Sequence, residues 1–270
     1  MSFTPDTSIL RTSLLLLASL LLISSQGACE QEGPPPGPIF LADSLMILPT
    51  DIQLGTDTFW VYREGRPNGA MISWAKKTED TLFIGQHLAF AQANIAEHAQ
   101  SALSYPALLP MRHRVWGQSG DTPLEAELIW QDSLIFGHIG YPLASSVFGQ
   151  DLLVRDTILF PGWERLVWAR LLPAMRLAPE QVYHQVAFCT EIGHLSPLSL
   201  WRQDSIAFQR DGDTLWTYTV DMRGDFPDQR VYISQETPAR ILKIEGLESP
   251  WEFINQLNSR IGPETRPGAD

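Results

Sequence analysis

The sequence predicts a mainly β protein, an antiparallel sheet in meander order with one or two short helices. From Ile39 onward, apolar and polar residues alternate with a period of two over runs of strand length, which is the signal of a half-buried strand. Turn residues punctuate these runs at Arg66-Pro67-Asn68-Gly69, Gln118-Ser119-Gly120-Asp121, Gln131-Asp132 and Asp211-Gly212-Asp213. The connectors are short, which suits antiparallel neighbours, since parallel strands need crossovers of about a dozen residues or more.

The strands expected in order are 58–63, 70–75, 81–85, 111–116, 126–130 and 133–137, then 182–188, 204–208, 215–220, 230–234 and 241–245. The last two flank Gln235-Glu236-Thr237-Pro238, where Pro238 has no N–H for a ladder and belongs in the connection. Two stretches break the pattern. Residues 162–172 place Trp163, Leu166, Val167 and Arg170 or Leu171 at helical spacing between Pro161 and Pro173, predicting a helix of about three turns. Pro250-Trp251-Glu252-Phe253-Ile254-Asn255-Gln256-Leu257 has a proline start and apolar residues at 251, 254 and 257, predicting a short C-terminal helix.

At 270 residues, with 44% hydrophobic and 10% aromatic composition and nine Trp, the chain has material for one sizeable core and some aromatic surface. Its net charge of −12 argues against nucleic acid and against direct adsorption to anionic lipid, both of which call for basic patches.

The N-terminus predicts an address. Arg11 precedes the apolar run 14–23, which is too short for a span of about 20 residues and suits a signal-peptide core. Gly27-Ala28-Cys29 then resembles a bacterial lipoprotein signal, in which the cysteine is diacylated and becomes the new N-terminus; Gln26 departs from the aliphatic residue usual three positions before it. Glu30 and Glu32 are similar to the acidic export tags of surface lipoproteins in the Bacteroidetes group. Gly33-Pro34-Pro35-Pro36-Gly37-Pro38 reads as an extended spacer. The expected layout is a signal peptide over 1–28, a lipidated Cys29 and tether over 29–38, a β-sheet body over 39–260 and a loose tail over 261–270. Two acyl chains would give stable anchoring, so the membrane is the expected partner and the outer membrane, facing periplasm or exterior, the expected place. Cys189, among Val186, Ala187 and Phe188, reads as an inert buried thiol.

Four elements carry a resemblance to domain-of-unknown-function family 3108, a relative of the periplasmic lipoprotein-carrier fold. They are TFWVYREGRPNGAMISW, ALLPMRHRVWG, WERLVWARLLP and VYISQETPARILKIEG, spread over most of residues 55–248. The resemblance implies a single, strongly curved half-barrel with one or two helices in its concavity, closed at one edge by the last strand pair. In the carrier relatives that concave face houses acyl chains. Trp60, Trp74, Trp116, Trp163 and Trp168 are therefore candidates for a hydrophobic ligand face or a core.

No catalytic or metal constellation emerges. The six His, at 87, 98, 113, 138, 184 and 194, show neither the four-residue helical nor the two-residue strand spacing of ligand pairs, and no metal or cofactor is expected. Ser73-Trp74-Ala75-Lys76 matches S-x-x-K, but it falls in an expected strand and not at a helix start. Most Asp residues sit in turns. A hydrophobic-ligand lipoprotein without enzymatic activity leads, an envelope module that binds a protein partner follows, and a carboxylate hydrolase comes third.

Overall fold

A computed structural model describes residues 36–91, 94–131, 134–140, 150–154, 163–190, 193–210, 213–225 and 227–256. The expected signal peptide, Cys29, most of the expected tether and the expected 261–270 tail lie outside the described residues.

Short strands β1 (Ile39–Phe40) and β2 (Met46–Ile47) precede eight that follow in sequence: β3 (Gly55–Arg63), β4 (Arg66–Lys77), β5 (Thr81–Phe90), β6 (Ile95–Ser104), β7 (Pro110–Ser119), β8 (Thr122–Gln131), β9 (Leu134–Gly140) and β10 (Gln150–Val154). Then come β11 (Trp163–Glu164), helix α1 (Arg165–Leu171) and β12 (Met175–Arg176). The chain continues through β13 (Val182–Cys189), β14 (His194–Arg210), β15 (Asp213–Gly224), β16 (Gln229–Ser234), β17 (Ile241–Gly246) and β18 (Trp251–Asn255).

β3 to β10 form one meander and β13 to β18 another. They merge into a fifteen-stranded sheet because β18 pairs antiparallel with β3, setting Phe253 opposite Val61 and Asn255 opposite Phe59. β10 and β11 are its two ends among the described residues, so the strand order is open. The sheet is nevertheless curved: Phe188 of β13 and Leu195 of β14 pack into a core with Ala126, Leu128, Ile135 and Ile139 of β8 and β9. Glycine eases the bending at Gly117 (φ 153°) and Gly137 (φ 156°), where a Cβ would lie 2.1 and 1.8 Å from the carbonyl oxygens of Ala96 and Glu127 on the next strands.

The architecture agrees with the mainly β, curved, antiparallel expectation and corrects several details. The C-terminal segment is strand β18, not a helix: Trp251 and Phe253 alternate toward the core, Glu252 turns out to meet Lys243 Nζ at 2.8 Å, and vacant ladders on β3 and β17 outweigh a weak helical pattern. The expected 162–172 helix is shorter, because Trp163 and Glu164 pair in parallel with Ala187 and Phe188; α1 begins only where the Glu164 carboxylate accepts from Leu166 N at 2.6 Å. The sheet is not the only one, since β1, β2 and β12 make a separate three-stranded unit. The final strand pair is not an edge either: β16 and β17 lie between β15 and β18. The first turn falls at Glu64-Gly65, both with positive φ (52° and 75°), and Arg66 to Gly69 belong to β4.

One buried ion pair fastens α1 to this sheet. The guanidinium of Arg170 meets the Asp57 carboxylate, both side chains being 3% exposed, and its Nη2 also donates to the carbonyls of Gln53 and Gly55, each at 3.3 Å. Asn255 Nδ2 approaches the same carboxylate at 3.5 Å while donating to Ile241 O at 2.9 Å. Asp57→Ala leaves a buried charge without its partner and is expected to cost about 3–5 kcal/mol, lowering Tm by roughly 10 °C. Thermal melts should show the double change Asp57→Leu with Arg170→Met costing far less, because no lone charge then remains buried.

Candidate functional site

Strand alternation sorts the side chains of β3 to β9 between two faces. The inner face, toward α1, carries Phe59, Val61, Met71, Leu82, Ile84 and Val115, all buried. A cavity of about 290 Å³ lies here between α1 and the sheet. Phe59, Met71, Leu88, Ile241, Ile244 and Phe253 supply its apolar wall. Its polar wall includes Ser73 and Gln86, directly opposed across β4 and β5, together with His113, Thr190 and Arg170.

His113 comes from β7 in register with Ser101 of β6, and the Ser101 hydroxyl and His113 Nδ1 lie 2.8 Å apart. Burial lowers the His113 pKa to about 3, so the imidazole is neutral at neutral pH. Its Nε2 is buried without a hydrogen-bond partner among the described residues, as are Thr190 Oγ1 and Arg170 Nε, and all three residues line the cavity. Unsatisfied buried polar atoms are rare and call for an explanation. An imidazole whose Nδ1 engages a hydroxyl can present Nε2 to a guest as donor or acceptor, according to tautomer.

The sequence-predicted tryptophans divide between the faces. Trp163 and Trp168 are fully buried, with ring centroids 4.8 Å apart, and Trp163 Nε1 donates to Leu108 O at 2.7 Å. They are core and do not line the cavity. Trp60, Trp74 and Trp116 stand on the outer face. Trp60 is 39% exposed and borders a shallow apolar groove with Tyr62, Ala70, Ala89 and Phe90. Trp74 lies over Gly85, whose hydrogen leaves room a Cβ would not, and Trp116 stacks on His98 at 5.2 Å with planes 4° apart. Ser73 lies within β4 facing the cavity, as its strand position predicts. Cys189 is buried beside the core.

Ser101, His113 and Thr190 were not singled out as site residues from the sequence. The legible signal was a His in an otherwise basic strand, MRHRVW, at an inward-facing position between Arg112 and Arg114. On the outer face of the second meander, carboxylates serve structure. Buried Asp221 accepts from Arg230 Nε at 2.7 Å and Arg223 Nη2 at 3.1 Å, and Tyr232 donates to Glu245 at 2.7 Å. Burial first, and then that hydrogen bond, push the Tyr232 pKa up to about 12.

No family model matches the chain, and no curated protein matches it in sequence. Among solved structures, the chain is similar to a beta-barrel-like protein of domain of unknown function DUF1849 from Brucella abortus. The two are 8% identical with a TM-score of 0.45, over 74% of this chain and 94% of that one.

The His113 shift carries a pH prediction. In the unfolded chain the imidazole titrates near its ordinary 6.5, whereas in the fold it resists protonation to about pH 3. Stability from this group is therefore fully present above pH 6.5 and declines as pH falls toward 3, by up to about 1.4 kcal/mol per pH unit. Urea denaturation at pH 6.5 and pH 5 should show this slope, and His113→Gln should flatten it; a wild-type slope that survives the substitution unchanged would place the titration elsewhere.

Proposed function

We propose that this chain is a lipid-anchored envelope protein, without enzymatic activity, whose inner-face cavity takes a small amphipathic molecule. The observation that carries the reading is the pairing, in one cavity, of an apolar wall with three buried polar atoms that lack partners among the described residues. Such a site fits a guest with an apolar body and a polar end, the body against Phe59, Leu88 and Phe253 and the polar end toward His113 and Thr190. The volume, at the low end of the roughly 300–1,000 Å³ of small-molecule sites, suits a short chain or compact amphiphile better than a whole diacyl lipid. The likeness of four sequence elements to family 3108 and its lipid-carrying relatives supports the same reading.

A second reading, a module that docks an envelope protein, is favoured by the outer-face groove at Trp60, Ala70 and Ala89 and by Trp216, which is 60% exposed.

Anchoring and binding are tested separately. Cys29→Ser should move the chain from the membrane to the soluble fraction and abolish palmitate labelling; retention of both label and membrane association would remove the anchor from the proposal. Native mass spectrometry with organic extraction on residues 39–260, expressed into a bacterial periplasm, should find a bound amphiphile that Ala99→Phe, filling the cavity, displaces. A stable apo mass, unchanged by added amphiphiles, would shift the weight to the docking module.

A further inference from the structure

On the outer face, away from the cavity, the sheet brings together two histidines eleven residues apart in the chain. His87 of β5 and His98 of β6 are direct antiparallel partners, and their Nδ1 atoms lie 3.1 Å apart. Both residues are half-buried. We propose that His87 and His98 form a two-imidazole site for a borderline-soft divalent transition metal such as Zn²⁺ or Cu²⁺.

The geometry carries this in three respects. Two nitrogens each roughly 2.0–2.1 Å from a metal and separated by 3.1 Å subtend about 100° at it, between the octahedral and tetrahedral ligand angles. The ring centroids are 4.1 Å apart with planes tilted by 34°, so aiming both lone pairs at one ion requires the rings to swing apart by less than about 1 Å, within the freedom of half-exposed side chains. The His98 ring is positioned by Trp116, which stacks on it with planes 4° apart and limits its rotation.

Imidazole nitrogens suit zinc and copper, whereas Mg²⁺ and Ca²⁺ prefer oxygen. No cluster of three or more His, Cys, Asp and Glu that could hold a metal occurs among the described residues. The ion's remaining positions would therefore be filled by water or by a ligand from solution, making the site open and exchangeable.

The test uses the full chain, purified in mild detergent without a histidine tag and dialysed against Zn²⁺ or Cu²⁺. The wild type should retain one equivalent, and His87→Gln or His98→Gln should each lose it, whereas His184→Gln, an exposed residue of β13, should keep it. Both half-buried variants should fold, as circular dichroism would check. Electron paramagnetic resonance of the Cu²⁺ form should show two coupled nitrogens, falling to one in either variant, and Cu²⁺ should quench a fluorescence component that Trp116→Phe removes. Failure of the wild type to bind, or binding unchanged in both variants, overturns the site and leaves the pair hydrogen-bonded to each other only. Neither result touches the cavity reading, which is independent of these residues.

Discussion

The ion pair between Arg170 and Asp57 fixes where the helix sits on the sheet. A helix of seven residues has no stability of its own in water, so α1 persists only through what it docks against. Arg170 supplies the dock, because its guanidinium reaches the carboxylate at the start of β3 and two carbonyls just before it. β3 is also where the two meanders meet through β18, and Asn255 of β18 approaches the same carboxylate. Helix position and sheet seam are thus tied to one buried group. A lone charge there would be far more costly than the pair is favourable, so the arrangement specifies geometry more than it adds stability.

The cavity follows from that placement. With α1 held above β3, its Val167, Trp168 and Leu171 fill the core, while Leu166 and Ala169 border the space that remains over Met71, Gln86 and Ala99. The floor of that space is partly polar because Asp57, Ser73 and Gln86 are register neighbours across three strands. Asp57 is taken by Arg170, whereas His113 Nε2, one strand beyond the Ser101 it partners, is left facing inward without a partner. The guest proposed for this cavity is the chemical complement of that remainder.

Sequence pattern was strongest where local alternation and turn chemistry agreed. β7, β13, β15 and β16 coincide closely with the runs that predicted them, because Val, Ile, Tyr and Trp in alternation leave little competition from helix. β6 went unseen: IAEHAQSALS carries three Ala and a single Ile as its one β-branched residue, a poor strand signal, and becomes a strand because it has β5 on one side and β7 on the other. The segment WEFIN read as helix because its proline start and the spacing of 251, 254 and 257 masked three good strand formers, Trp251, Phe253 and Ile254. The pairing of His87 with His98 was not legible, since spacing within one element says nothing about a register across two.

By itself, the sequence determined the class of structure, most of its hairpin turns and the N-terminal pattern from which the anchor is inferred, because each depends on residues within a few positions of one another. Tertiary structure alone decided which tryptophans became core and which became surface, that the last strand lies in the middle of the sheet, and that Asp57 meets Arg170 and His87 meets His98. Those outcomes depend on register between distant strands, and a shift of one residue there exchanges the two faces of the sheet.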